Sequence, residues 1–182
     1  LPRKGCYMNS SMEKRQVSDT SEFQQNLEIL RQMDFFSALS LQALKVFAYL
    51  FTREVFKPGD YLFHQDDNDG NAFHILSGIA EVARKDESGE FCLGKYGEGE
   101  FLGGLALLGD MRRLFSLKAL TDMTCLVMTR EKFTKAIEQF PDLMPRVLET
   151  MVDRIRSWEE RLFLDKDGLC DACRKKVGVS LI

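Results

Sequence analysis

Residues 56–82 read FKPGDYLFHQDDNDGNAFHILSGIAEV, and the fold class can be predicted from this stretch. Apolar and polar residues alternate in short runs, which are broken at Pro58-Gly59, in the acidic segment 66–70 and at Ser77-Gly78. A period of two is typical of half-buried β-strands, and Gly, Pro and Asp at such intervals are typical of tight turns. The stretch therefore predicts short strands joined by turns.

The same pattern extends to both sides and covers residues 52–128. Further apolar runs follow at Cys92-Leu93 and up to residue 128, with turn residues at 87–89 and 97–99. Many short strands with a turn about every ten residues indicate an antiparallel sandwich or roll rather than a parallel α/β sheet.

Helical patterns flank this β region. Ser21 and Gln24 have the spacing of a capping box, which predicts a helix over residues 21–33. Ser40 precedes a second apolar pattern that ends near residue 51. These signals predict two short helices before the first strand.

The chain also leaves the β region through helices. Thr129 is a candidate N-cap for one helix, and a longer pattern runs from Pro141 to about Leu164, before Asp167-Gly168. We therefore predict an N-terminal tail, one domain and a C-terminal tail. The predicted bounds are 1–20 for the first tail, 21–51 for the first helices, 52–128 for the β-roll, 129–164 for the last helices and 165–182 for the second tail.

The composition of the chain disfavours several classes of protein. The 182 residues are 45% hydrophobic and 29% charged with a formal charge of -3, which is typical of one globular domain and disfavours a phosphate-backbone partner. No apolar stretch approaches the length of a membrane span, and the first residues lack the apolar segment of a signal peptide. Five scattered cysteines do not form a secreted disulfide framework. We expect a cytoplasmic protein that binds neither membrane nor nucleic acid by itself.

Residues 56–82 resemble the first strand block of the cyclic-nucleotide-binding domain family, the sensor of the catabolite activator protein and of cyclic-nucleotide-gated channels and kinases. The resemblance extends from about Phe35 to Leu162. It implies a mainly β fold, an antiparallel β-roll or jelly roll with N-terminal helices and a long C-terminal helix. Asp66 and Asp69 stand where the family has glycines. The matching residues are Phe56, Gly59, Asp60, Leu62, Asp67, Phe73, Ile75, Leu76, Ser77, Gly78 and Val82.

The family's phosphate-binding cassette corresponds here to residues 101–119, FLGGLALLGDMRRLFSLKA. Such a cassette presents backbone N–H groups at a helix N-terminus, an arginine for the phosphate and a glutamate for the ribose hydroxyl. In the family's register Arg113 is that arginine, whereas Gly104 replaces the glutamate. The resemblance therefore implies a site for a cyclic nucleotide, cAMP or cGMP, or a related small anion. The predicted ligand-binding residues are Gly103, Gly104, Leu105, Ala106, Arg112, Arg113, Leu114 and Phe115.

Three replacements are expected to weaken this site. Loss of the glutamate alone removes a hydrogen bond to a charged group, about 1.5–3 kcal/mol or roughly one to two decades in affinity. Leu114 and Phe115 replace small residues after the arginine, and a period of two lets only one of them face the pocket. A solvated arginine pair at Arg112 and Arg113 is the alternative to an anion site.

The last helix carries an apolar stripe with alternating intervals of four and three residues, the spacing of a coiled-coil seam. We predict that this stripe forms a homodimer. The alternative is that it packs on the chain's own β-roll. Its residues are Met144, Leu148, Met151, Ile155, Trp158 and Leu162.

Weaker signals remain for metals and cofactors. The acidic loop lacks the first and last ligands of a calcium loop, and His64 and His74 are expected to be ordinary strand residues rather than haem ligands. Cys170 and Cys173 form a single C-x-x-C that two chains could combine around zinc or an iron–sulfur cluster, or that lies in a tail of reduced cysteines. No certain cofactor is predicted.

No nucleophile paired with a base and no P-loop is recognised, so we expect a non-enzyme. The leading hypothesis is a stand-alone regulatory sensor with a weakened pocket. The alternative is a ligand-free pseudo-sensor that acts as a dimeric interaction scaffold.

Overall fold

The computed structural model describes residues 10–33, 36, 39–87 and 89–164, with side-chain surroundings from residue 21 onward except at 154, 155 and 157–164. The strands are β1 (Thr52–Phe56), β2 (Tyr61–Phe63), β3 (Asn71–Ser77), β4 (Ala80–Asp86), β5 (Gly89–Tyr96), β6 (Phe101–Leu102), β7 (Ser116–Ala119) and β8 (Met123–Thr129). The helices are α1 (Ser10–Gln32), α2 (Leu41–Leu50), α3 (Arg130–Gln139) and α4 (Leu143–Leu164), with a 3₁₀ helix at Gly104–Leu107.

The strands form two antiparallel four-stranded sheets that make the β-roll. One sheet has the order β1-β8-β3-β6, and the other has the order β2-β7-β4-β5. The chain thus crosses between the sheets several times, and β6 and β7, which flank the 3₁₀ helix, belong to different sheets. The predicted antiparallel roll over residues 52–128 is confirmed.

Alternating residues of β3 and β8 serve two separate apolar cores. Phe73, Cys125 and Val127 point between the two sheets, whereas Leu126 and Met128 point toward the helices. The helix-side core contains Phe47 and Phe133, whose rings lie 5.7 Å apart between centroids. Because both faces of this sheet are buried, the centres of β3 and β8 are nearly continuous runs of buried residues instead of a strict alternation.

The helix caps test the predicted boundaries. The Ser40 hydroxyl accepts a hydrogen bond from the Ala43 N–H at 3.3 Å, which agrees with the helix predicted to start there. The Thr129 hydroxyl accepts one from the Lys132 N–H at 3.3 Å, so the predicted N-cap at Thr129 is confirmed. The prediction at Ser21 is wrong, because α1 begins at Ser10. No Gly or Pro lies between Ser10 and Gln32, so nothing in the local sequence stops the helix before the capping-box residues.

Gly78 is required by the turn between β3 and β4. Its φ is +94°, and a Cβ at this position would lie 2.5 Å from the Asp122 carbonyl oxygen. A side chain would therefore be both strained and in collision with backbone. Within the described residues, none of the helices is long and apolar enough to cross a membrane.

Candidate functional site

The cassette begins at Gly103, which has a left-handed backbone conformation and lies close to the side chain of Arg113. Gly103 has φ +82° and precedes the 3₁₀ helix, and its carbonyl accepts a hydrogen bond from the Ala106 N–H at 3.1 Å. A Cβ on Gly103 would lie 2.7 Å from Arg113 Nη1 and 2.7 Å from the Asn71 carbonyl oxygen. Only glycine therefore allows the cassette to sit this close to the arginine.

Arg113 is buried and already has an anionic partner. Its side chain is 2% exposed, and Asp69 accepts hydrogen bonds from Nε at 2.7 Å and from Nη2 at 2.9 Å. The Asn71 carbonyl accepts a further hydrogen bond from Nη2, and the guanidinium carbon lies 4.0 Å from the centroid of the Phe63 ring. This bidentate geometry is the one that arginine uses for carboxylate and phosphate alike.

The acidic loop also fixes the backbone of Arg113. The Asp66 N–H donates to the Arg113 carbonyl, and the Arg113 N–H donates to the Asp67 carbonyl, both at 2.8 Å. Asp67 in turn accepts a hydrogen bond from the His64 N–H at 2.8 Å through its carboxylate. The acidic loop, with Asp66 and Asp69 at the family's glycine positions, therefore fixes both the backbone and the side chain of Arg113.

Gly104 faces the helix-side core rather than a ligand cavity. A Cβ at this position would lie 2.9 Å from Phe101 Cε1 and 3.6 Å from Met151 Cε. Phe101 and Met151 are both buried in the helix-side core. The cassette is thus covered by β6 and α4 on the side where the family's glutamate would begin.

The residues after the arginine face in opposite directions. Leu114 is 51% exposed, whereas Phe115 is buried between the sheets with its ring centroid 5.6 Å from that of Phe63. Phe115 therefore fills the interior of the roll, and of the two residues after the arginine it is Phe115, not Leu114, that points inward. Arg112 is exposed, Leu105 is partly buried and Ala106 is buried.

A second arginine joins the cassette to α3. Arg130, the first residue of α3, donates from Nε to the Ala106 carbonyl at 2.7 Å and from Nη1 to Asp110 at 3.1 Å. Its Nη2 donates to Asn68 Oδ1 at 3.2 Å, and Asn68 also donates to Asp110. The cassette, the acidic loop and α3 are thereby held by one polar cluster.

The predicted dimer stripe on α4 is corrected at one position. Leu143, Val147 and Met151 are buried against the chain's own domain, so Met151 is a core residue and not part of a partner-facing seam. Leu148 is 50% exposed and Met144 is partly buried. The side chains of Ile155, Trp158 and Leu162, and the tail residues Cys170 and Cys173, lie outside what the structure describes.

The most important partners in this site were not recognised in the sequence. Asp69 lies 44 positions before Arg113, and Arg130 lies 24 positions after Ala106. The acidic loop itself was visible as a departure from the family pattern. No local periodicity connects it to the arginine, because the two segments meet only when β2 and β7 pair.

The cassette joins β6 of one sheet to β7 of the other in an antiparallel β-roll, and this arrangement supports a ligand-sensing regulatory domain. Residues 53–140 match the family model described as "Cyclic nucleotide-binding domain". This match confirms, for residues 53–140, the family resemblance predicted from the sequence.

Relatives of several kinds share the domain. The cAMP-dependent protein kinase regulatory subunit of Blastocladiella emersonii is 33% identical over 89 residues, which are 48% of this chain and 22% of that protein. The N-terminal domain of a transcriptional regulator from Streptomyces coelicolor superposes with a TM-score of 0.66 at 22% identity, covering 78% of this chain and 99% of that one. The Thermus thermophilus catabolite activator protein has a TM-score of 0.60 at 25% identity, covering 72% and 62%. The chain spans less than half the length of the first curated relatives it matches.

Proposed function

We propose that this domain is a regulatory sensor that binds a cyclic nucleotide or a related small anion weakly, at the cassette around Gly103 and Arg113. The observation that carries the proposal is the buried, bidentate pair of Arg113 and Asp69. The arginine is retained and held rigidly beneath the cassette, with Nη1 directed at Gly103. A ligand phosphate has to share or displace the carboxylate to use it.

Weak affinity follows from three features of the site. Asp69 neutralises the charge of Arg113, Gly104 provides no carboxylate for a ribose hydroxyl, and Phe115 occupies the interior of the roll. The missing sugar contact alone corresponds to about one to two decades in affinity. We expect dissociation constants of roughly tens of micromolar or weaker for cAMP and cGMP, against about micromolar for an intact site.

The output of the sensor is assigned to α4. Met151 on α4 packs beside Gly104 of the cassette, and Arg130 ties the cassette to the start of α3. A ligand that moves the cassette therefore shifts the packing of both C-terminal helices. The size of the shift is set by the difference between the ligand's affinities for the two arrangements of the helices.

A dimeric pseudo-sensor is the second candidate, because Arg113 and Phe115 are both almost completely buried by the chain's own side chains. In that case the cassette is a closed structural element and the function lies in the exposed face of α4. The two candidates differ in one measurable property, which is the response to millimolar cyclic nucleotide.

Calorimetric titration and thermal melting with cAMP and cGMP separate them. A ligand at 100 times its dissociation constant stabilises the fold by about 2.7 kcal/mol, so a sensor shows a clear rise in melting temperature. Arg113→Lys keeps the charge without the planar fork and is expected to weaken binding at least tenfold. Arg112→Lys makes the same change at an exposed arginine and is the matched control.

Binding that Arg113→Lys weakens and Arg112→Lys leaves intact supports the sensor. Absence of a binding heat and of any melting shift at millimolar cAMP and cGMP rejects it in favour of the pseudo-sensor.

A further inference from the structure

A cavity lies on the opposite side of the β1-β8-β3-β6 sheet from the interior of the roll. It has a volume of about 740 Å³, within the usual range for small-molecule sites. Its walls are the last turn of α1, β1, β3, the turn after β5 and the start of β6. None of the residues Gly103 to Phe115 lines it, so it is separate from the cassette among the described residues.

Strand register places two polar side chains in one row on the floor of this cavity. Arg53 on β1 and His74 on β3 both pair with Leu126 of β8, and His74 pairs with Phe101 of β6. Directly paired residues share a sheet face, and neighbouring strands are about 4.8 Å apart. Arg53 and His74 therefore stand about 10 Å apart on the same face, with Leu126 between them.

The guanidinium of Arg53 is held by hydrogen bonds to neutral groups, and no carboxylate among the described residues forms an ion pair with it. Its Nε and Nη2 donate to Asn26 Oδ1 at 3.3 and 3.2 Å, and Nη2 donates to Gln25 Oε1 at 3.0 Å. Asn26 is itself fixed, because its Nδ2 donates to the Ala48 carbonyl at 3.3 Å. Both acceptors are neutral amides, and none of the ion pairs among the described residues involves Arg53.

His74 adds an unsatisfied polar atom at the other end of the row. The side chain is buried, and its Nδ1 has no hydrogen-bond partner among the described residues. Leaving a buried polar atom unpaired is unfavourable, so such an atom beside a cavity points to a group that enters from outside the fold. A ligand that brings a hydrogen-bond donor to this end of the row would satisfy it.

The rim of the cavity determines the charge of the ligand. Glu98 and Glu100 line the same cavity as Arg53, and both are exposed. With two carboxylates and one guanidinium, the rim opposes a phosphate dianion but matches a molecule that carries one negative and one positive group. Ile29, Met33 and Phe101 supply an apolar wall for the rest of that molecule.

We propose that this cavity binds a small zwitterion of the amino-acid type with a large apolar side chain. The ligand carboxylate binds Arg53, its ammonium group lies toward Glu98, and a side-chain donor reaches His74. This site is independent of the cassette and of the proposed binding of cyclic nucleotides.

The test uses three indole probes that differ only in charge: L-tryptophan, indole-3-propionate without the ammonium group, and tryptamine without the carboxylate. Binding to the full chain is followed by NMR, since His74 and His64 are the only histidines and their ring signals can be assigned by substitution. We expect L-tryptophan to shift the His74 signals, and tryptamine at the same concentration to leave them unchanged. Cyclic AMP should not compete with L-tryptophan.

Two variants identify the contacts. Arg53→Gln is expected to weaken L-tryptophan at least tenfold, whereas Arg84→Gln, at an exposed arginine on β4, has no effect. Glu98→Gln, at an exposed turn position that does not endanger folding, should weaken L-tryptophan but not indole-3-propionate. The proposal is overturned if 10 mM L-tryptophan leaves the His74 signals unchanged, or if the probe binds equally to wild type, Arg53→Gln and Glu98→Gln.

Discussion

Phe101 lies against Gly104: its Cε1 atom is 2.9 Å from the place where a Cβ on Gly104 would stand. The family's glutamate at this position therefore cannot be restored by a single substitution, although the sequence register suggests that it could. The ring is held in place, because its centroid lies 6.0 Å from that of the buried Phe36. The absence of a carboxylate at position 104 and the position of the Phe101 ring are therefore coupled, because the ring occupies the space that a side chain at position 104 would need.

Gly104→Glu is accordingly predicted to destabilise the fold and not to tighten cyclic nucleotides. Forcing extra atoms into a packed core costs about 1–3 kcal/mol, which thermal or urea unfolding measures directly. Gly109→Ala is the control, because a Cβ there meets nothing within 4 Å. Tighter cAMP binding by Gly104→Glu at unchanged stability would show that this account of the cassette is incorrect.

Asp69→Asn is predicted to lower the free energy of unfolding by about 3 kcal/mol, because it leaves the Arg113 charge buried without an anion. Asp122→Asn removes the exposed partner of Lys57, a surface pair expected to contribute about 0–1 kcal/mol. If Arg113 is an anion site, cAMP should raise the melting temperature of Asp69→Asn more than that of the wild type. An equal response in both proteins would mean that Asp69 does not compete with the ligand.

The exposed face of α4 is predicted to mediate a homodimer. Leu148 is 50% exposed and Val152 is 60% exposed, whereas Met151 is buried. Leu148→Glu should convert a species of twice the chain mass into a monomer without loss of melting temperature, as sedimentation at micromolar concentration can show. Met151→Glu should instead unfold the domain, since it places a charge in the core. A wild-type monomer would remove the dimer from the proposed function.

Stability is predicted to fall as the pH drops below about 6.5, because burial lowers the pKa of His74 from 6.5. The unfolded chain then binds a proton that the folded chain does not, so the free energy of unfolding decreases until the folded pKa is also passed. The charged and titratable groups that line the same cavity as His74 are Arg53, Glu98 and Glu100. His74→Gln should flatten the pH dependence below 6.5 in urea titrations, whereas His64→Gln at an exposed histidine should preserve it. If His74→Gln keeps the full pH dependence of the free energy of unfolding, that dependence arises from other titratable groups.

Alternation and turn residues predicted an antiparallel sandwich or roll, because these signals act over a few positions and are satisfied by any pairing that buries one face. The choice of a roll was implied by the family resemblance and is confirmed by the strand order. Local signals also predicted the helix start at Ser40 and the N-cap at Thr129, where a hydroxyl accepts a hydrogen bond from an N–H only three residues away. The start of α1 was not determined, since the residues before Ser21 are compatible with a helix but carry no boundary signal.

The state of the site depends on tertiary contacts. The partnership of Asp69 with Arg113, the inward direction of Phe115 and the burial of Met151 over the cassette all join segments far apart in the chain. Such contacts depend on how β2, β7 and α4 come together in three dimensions, and no spacing along the sequence encodes them. For this reason the sequence placed the arginine in the cassette, but the fold supplied the carboxylate that neutralises it.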